Sequence, residues 1–390
     1  MVAPACGVRV GLERCRVSAG REGLLFLKKK KQKNFVNLER GGGIGVVSWR
    51  GLLCRTCAMA KCRACLYLWG MSTLPHFLDR NRPDVPDLAV PRGVTPFFLP
   101  KQPVRGRLVR LGPLADALLT RHDHPAPLRT MLGEALALVA SLATALKFTG
   151  TFSLQAKGDG PVPMLLADCT DIGALRGYAR LAEDATIPDA PTARALMGDG
   201  YLAFTVDQGP DTERHQGIVS LEGDTLADMA LHYFATSEQL PCAIHLACAE
   251  TPAGWRASAL IIERIAGAGG IDPELSEEAQ EESWRTAKIL AATITDAELL
   301  DDALPPDRLL YRLFHGEGVA VDRPRPLAYG CRCSRARLSD VLHGFSEDDL
   351  DHMTIEGDIT MTCEFCNVDF RFPRADITPA EPAERREDHS

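Results

Sequence analysis

Cys331-Arg332-Cys333 and Cys363-Glu364-Phe365-Cys366 are the two stretches on which the reading of this 390-residue chain turns. The 29 residues between Cys333 and Cys363 leave room for a helix, a turn and a strand. Two pairs of thiols carried on two turns make a tetrahedral all-sulfur site suited to one Zn²⁺ ion. The residues in between support that reading. Leu338, Val341, Leu342 and Phe345 step at helical spacing, so a helix with one apolar face is expected. Ser346, with Asp349 three residues on, can cap a second short helix. Ile359, Met361 and Cys363 alternate, and Val368, Phe370 and Phe372 answer them across a turn where Asn367 can take the left-handed conformation. Residues 325–374 are too few to be stable without a staple. Structural zinc supplies about 10–16 kcal/mol of apparent binding energy, and that energy is folding energy.

The spacing leaves two roles open. Zinc holds its four sulfurs as thiolates, the form that oxidants attack. Each pair is close enough in sequence for a local disulfide, although a C-x-C ring is strained. Oxidation would remove the ligands, and the site would then be a switch. The plain alternative is a permanent structural knuckle with no redox role. Cys169, Cys242 and Cys248 lie in apolar strand contexts and are expected in the core. His315, His343 and His352 read as surface or packing residues, because four sulfurs already complete the coordination.

Working outward, residues 267–324 are expected to form an acidic helical linker. Residues 274–300 read as acidic and helix-prone, with Trp284, Ile289, Leu290, Ile294, Leu299 and Leu300 as their large apolar anchors, and residues 305–315 as another short helix through Leu309, Leu310, Leu313 and Phe314. This segment has helix propensity but little to bury by itself, so it needs a neighbour to dock on. Residues 103–266 are expected to form one α+β domain with antiparallel hairpins. Its strands are expected at 104–109, 148–155, 163–168, 201–206, 216–221, 243–247 and 257–265, with helices at 128–146 and 225–237. Gly158-Asp159-Gly160-Pro161 and Gly198-Asp199-Gly200 read as turns supplied with positive φ by glycine. Neither has the length or the lysine of a phosphate-binding loop. Residues 71–102 are expected to be an irregular lead-in and 375–390 a disordered tail.

Charge divides the chain further. Residues 1–70 carry 14 Lys/Arg and 3 Asp/Glu, whereas the rest carries 30 and 49, a balance of −19. A body that acidic repels phosphate backbones, so nucleic acid is not expected as a partner. No uninterrupted run of 18 apolar residues occurs, and no membrane span is expected. Residues 1–70, with lysines at 28–31 and Cys54, Cys57, Cys62 and Cys65 close together, read as upstream sequence before a start at Met71; a basic targeting arm or a tight metal site are the alternatives.

Several blocks in one order make the sequence resemble a known family. They are Leu146-Lys147-Phe148, Leu175-Arg176-Gly177-Tyr178-Ala179-Arg180, Gln216-Gly217-Ile218-Val219, Leu221-Glu222-Gly223-Asp224-Thr225-Leu226, Ser237-Glu238-Gln239-Leu240-Pro241 and Tyr311-Arg312-Leu313-Phe314-His315, followed by the C-x-C and C-x2-C pairs. The chain resembles the redox-regulated heat-shock chaperones of thirty-three kilodaltons, the bacterial 33 kDa chaperonins, from about residue 104 to 372. The resemblance implies an ATP-independent holdase and no enzyme. It implies one zinc per chain on Cys331, Cys333, Cys363 and Cys366 when reduced. On oxidation it implies disulfides Cys331–Cys333 and Cys363–Cys366, zinc release, and unfolding of lobe and linker. It further implies a cytoplasmic protein that binds unfolding clients, dimerises when oxidised and passes clients to an ATP-driven chaperone system.

Two other classes stay in play: a constitutive zinc-ribbon adaptor without switching, and a thiol oxidoreductase using C-x2-C. The latter needs a helix after its first cysteine, where Phe370 and Phe372 indicate a strand. Deleting residues 1–70 is expected to leave folding and activity unchanged; a truncated chain that fails to fold, by circular dichroism, overturns the start-site reading.

Overall fold

The computed structural model describes residues 88–146, 148–187, 191–209, 214–265 and 276–378. The readings of residues 1–70, with their four clustered cysteines, lie outside them. In chain order the elements are β1 (Ala89–Leu99), β2 (Val104–Arg110), α1 (Pro113–Leu119), α2 (Ala126–Ala145), β3 (Thr151–Gly158), β4 (Met164–Thr170), β5 (Ala174–Arg180), α3 (Ala193–Met197), β6 (Gly200–Asp207), β7 (His215–Ser220), α4 (Leu226–Tyr233), β8 (Cys242–Thr251) and β9 (Gly254–Arg264). The chain continues with α5 (Glu277–Ala291), α6 (Asp296–Leu300), α7 (Pro306–Phe314), β10 (Ala320–Val321), β11 (Arg325–Tyr329), α8 (Arg335–Leu342), α9 (Glu347–Met353), β12 (Thr354–Ile355), β13 (Asp358–Thr362) and β14 (Asp369–Pro373).

The fold is α+β, as expected. One large sheet runs β7-β6-β3-β4-β5-β11-β1-β2-β9-β8, with β10 also paired to β1. All pairings in it are antiparallel except β5 with β11. A separate sheet β12-β13-β14 belongs to the small lobe. The expected strands and helices are recovered with shifted ends, and β8 and β9 run longer than the alternation indicated.

Of the expected irregular lead-in, residues 71–87 lie outside the described residues, and the remainder is corrected by β1, a strand inside the sheet. Prolines 91 and 96 argued against it, because proline cannot donate to a ladder. Pro91 sits at the register shift between Val90 and Val94. Pro96 falls between the pairing to β11, which ends at Val94, and the pairing to β10, which starts at Phe97. A second correction concerns β11: residues 325–329, assigned to the small lobe, complete the large sheet instead.

One face of the sheet packs on α2. Leu128, Leu132, Leu136 and Val139 are fully or almost fully buried among side chains of both halves of the sheet. This helix is 20 residues long with mean hydropathy 1.3, enough on length and composition to span a membrane. It corrects the inference from uninterrupted runs. In the fold, 78% of that apolar stretch is buried inside the protein, so its hydropathy is that of a core helix.

The opposite face, under β1, β2 and β9, is covered by the linker. Phe97, Leu99, Val104, Leu108, Leu260 and Ile262 meet Trp284, Ala287, Ala291, Leu299, Leu309, Leu310, Leu313 and Phe314. Phe97 and Phe314 stack at 5.4 Å. The helix-prone stretch 274–300 holds two helices, α5 and α6. Thr295 forms a capping box with Glu298, which starts α6 afresh. Ile289 is not an anchor but 59% exposed; Ala287 and Ala291, on the same face as Trp284, are buried in its place.

In the small lobe the expected apolar stripe is narrower. Leu342 is buried, whereas Val341 and Phe345 are exposed. Leu350, Ile359, Phe370 and Phe372 complete the core together with Ile377, which corrects the reading that the tail is disordered from residue 375. Gly198 does have positive φ, but Gly158 and Gly160 do not. A Cβ on Gly158 would lie 1.9 Å from the Met197 carbonyl oxygen, so glycine is required there by close backbone approach. Gly158→Ala is expected to destabilise the protein by about 1–3 kcal/mol, read as a lower urea midpoint at unchanged slope.

Candidate metal centre

The two halves of the site come from different parts of the structure. Cys331 follows β11, whose Ala328 and Tyr329 pair with Ala174 and Leu175 of β5. Gly330 extends that pairing by donating to the Leu175 carbonyl at 2.7 Å. A side chain there would strike the β5 backbone at 2.5 Å, so the first cysteine pair leaves the large sheet at a fixed point. Ser334 then caps α8 by accepting from the Arg337 amide. Cys363 and Cys366 sit on the turn joining β13 and β14. The Asn367 amide donates to the Cys363 carbonyl at 2.8 Å, and the Cys363 amide to the Val368 carbonyl at 3.0 Å. Asn367 adopts φ 53°, the left-handed backbone read from its sequence.

The four sulfurs converge. Sγ–Sγ separations are 3.4 Å for Cys331–Cys333, 3.6 Å for Cys331–Cys363 and 3.4 Å for Cys333–Cys366. All four lie within 4.8 Å of one another. Ligands at about 2.3 Å from a tetrahedral zinc would stand just under ~4 Å apart, so the donor set fits the ion. Cys331 and Cys366 are buried, and Cys333 and Cys363 are half-buried. Hydrogen bonds from neighbouring thiols favour thiolates at Cys331, lowered to about 7, and at Cys363, whereas Cys333 and Cys366 are pushed up. Thiols this close share their protons, and a divalent cation would take the place of those that remain.

Among the described residues, Cys169 and Cys248 are buried in the core as expected, whereas Cys242 is half-buried against it. Burial pushes Cys169 and Cys242 up to about 12 and Cys248 higher still. The three histidines near the thiols in sequence take no part in the cluster. His315, His343 and His352 each place Nδ1 against a backbone carbonyl, of Tyr311, Thr378 and Asp348.

The contacts that seat the cysteine turn on the large sheet were not read from sequence. The Phe365 ring lies under the Arg176 guanidinium at 3.9 Å, with Tyr178 beside it at 6.3 Å. Arg176 is itself fixed by Asp168, through Nε and Nη2 at 2.8 and 2.6 Å. Arg332 donates to the Thr151 hydroxyl at 2.9 Å, and the Asn367 side-chain amide to the Arg121 carbonyl at 3.0 Å. His122 faces the same turn; burial lowers its pKa, while the Glu364 and Phe365 backbone raises it.

A family model described as "Hsp33 protein" matches residues 93–373. The chain is 40% identical over 284 residues to the 33 kDa chaperonin of Caulobacter vibrioides strain NA1000 / CB15N, covering 70% of this chain and 92% of that relative. It is 38% identical over 283 residues to the 33 kDa chaperonin of Pseudomonas aeruginosa strain UCBPP-PA14, covering 72% and 91%. The fold matches the crystal structure of the 33 kDa chaperonin from Thermotoga maritima with a TM-score of 0.60 at 23% identity, covering 73% of this chain and 96% of that one.

Removing the Phe365 ring tests how the turn is held. Phe365→Ala is expected to weaken the seat by about 1–2 kcal/mol, seen as roughly tenfold faster amide exchange over residues 363–368.

Proposed function

The chain belongs to the Hsp33 family of heat-shock chaperones, and from that premise we propose that it is a redox-gated, ATP-independent holdase whose gate is the four-cysteine centre. The observation that carries the proposal is the cluster of four sulfurs joining a lobe with a very small core to the large sheet. Cys331, Cys333, Cys363 and Cys366 would hold one zinc ion in the reduced protein. When bound, that ion keeps the sulfurs as thiolates and ties the two turns together. In this reading residues 103–266 with β1 and β11 bind clients, 267–324 are the linker, the residues after β11 are the switch, and 1–70 are dispensable.

Oxidation acts on the half-buried Cys333 and Cys363 first, because they are the accessible thiols. For each disulfide two thiolates give up two electrons and the S–S bond forms. The O–O bond of peroxide breaks, and with two protons the oxidant leaves as two waters. The pairs Cys331–Cys333 and Cys363–Cys366 are the ones whose partners stay adjacent as the lobe loosens, since short loops close at least entropic cost. Sulfurs in disulfides no longer coordinate the ion, and the lobe keeps only its six-residue core. The linker, continuous in sequence with β10 and β11, then leaves the sheet face, and apolar surface becomes available to unfolding proteins. Oxidised chains are proposed to dimerise and to hand clients to an ATP-driven chaperone system. In this reading the protein works in the cytoplasm, the compartment where thiols stay reduced at rest.

Zinc-loaded protein treated with peroxide at elevated temperature is expected to release one zinc, consume four thiols and gain suppression of client aggregation, followed by light scattering. A constitutive adaptor would show no such gain. Cys363→Ser is expected to lose zinc in a chelator competition that the reduced parent protein withstands; full retention would remove Cys363 from the ligand set.

A further inference from the structure

The sheet face covered by the linker is not purely apolar. Even-numbered positions of β2 and β9 point to it, and three of them are arginines. Arg110 is 8% exposed and lies among the linker turns. It donates to the backbone carbonyls of Glu298 at 2.7 Å, Asp301 at 2.8 Å and Leu304, and so caps the C-terminal end of α6. Arg256 is 7% exposed; its Nε donates to the Asp302 carboxylate at 2.5 Å and its Nη1 to the Trp255 carbonyl at 2.9 Å. Arg264, at the end of β9, pairs with Glu281 of α5. On β1, the exposed Arg92 faces Asp307 of α7 at 3.8 Å.

The polarity is the same each time. Among the described residues, every ion pair between the large sheet and residues 276–314 sets an arginine of the sheet against a carboxylate of the linker. The linker cation Arg312 pairs within the linker, with Glu298. Between these charges lie Phe97, Leu99, Val104, Leu108, Leu260 and Ile262. When the linker leaves, Arg110 loses the three linker carbonyls and Arg256 loses the Asp302 carboxylate, keeping only the Trp255 carbonyl of its own strand, and both remain set in an apolar surface. A buried donor without an acceptor is costly, and a buried charge more so. Whatever next covers this face must supply oxygens to the arginines and apolar side chains between them. Backbone carbonyls come with any unfolded chain; carboxylates do not, and lysines or arginines are repelled.

We propose that Arg110 and Arg256 make the uncovered face selective for unfolded client segments that carry Asp or Glu beside apolar residues, with linker residues 294–314 serving at rest as the built-in stand-in for such a segment. This deepens the holdase reading and rests on it. The selectivity resides in charge, so salt weakens it without abolishing apolar binding.

The test uses the oxidised full chain and two labelled peptides followed by fluorescence anisotropy. One has the sequence of residues 294–314; the other has lysine in place of Asp296, Glu298, Asp301, Asp302 and Asp307. The acidic peptide is expected to bind at least about tenfold more tightly at low salt, the gap narrowing at high salt. Arg256→Gln is expected to narrow the gap, and Arg256→Lys to keep most of it. Zinc content and circular dichroism before oxidation establish that each variant folds. Should a variant misfold, the two peptides on the parent protein still decide. Equal affinity for both peptides, on protein that does suppress client aggregation, overturns this inference alone. Oxidised protein that suppresses no aggregation overturns the holdase reading and this inference with it.

Discussion

Four sulfur atoms within 4.8 Å of one another are the constraint on which the carboxyl-terminal part of the structure depends. Two of them leave the large sheet at β11, and two ride on the β13–β14 turn, so the cluster bolts one unit to the other. The remaining attachments are modest. A cation–π contact, one hydrogen bond from Arg332 and one from Asn367 each contribute on the order of 1 kcal/mol. The lobe's own core is Leu342, Leu350, Ile359, Phe370, Phe372 and Ile377. A unit with so little buried surface is marginal without a staple, and four clustered thiols are a donor set that can hold one.

The linker shows the same economy in another form. It binds the sheet by an apolar stripe through Trp284, Leu299, Leu309, Leu313 and Phe314, and by arginines that rise from the sheet to meet its carboxylates and helix-end carbonyls. Neither α6 nor α7 is long enough to be stable alone. Their order is lent by the sheet, which is the property a segment needs if it is to be released as a whole. The linker leads through β10 and β11 directly to Cys331, so bolt and cover are neighbours along the chain.

Much of this was legible in residue order wherever local chemistry decides structure. Alternation marked β2, β6 and β7, and Ser346 with Asp349 marked the start of α9. The four cysteines announced their cluster because two close thiol pairs on two turns have metal-ligand spacing. Legibility failed where the deciding contact is remote. Prolines 91 and 96 hid β1, whose neighbours on one side change from β11 to β10 at the point where proline falls. Alanines 287 and 291 were passed over for Ile289, because only the docked surface shows which side of α5 is close enough to need small residues. Gly158 was read as a turn glycine, whereas the Met197 carbonyl, far along the chain, is what forbids a side chain there.

The amino-acid sequence by itself determined the α+β class, the antiparallel hairpins, the four-sulfur donor set and the need of the linker for a partner. These follow from periodicity, from capping chemistry and from the affinity of clustered thiols for a soft cation, all of which act over a few residues. Only the tertiary structure decided that β1 and β11 complete one sheet, that Phe365 lies under Arg176, and that three arginines at even positions of β2 and β9 face the linker. Those outcomes depend on which distant backbones come within hydrogen-bonding reach, and that is set by how the whole core packs.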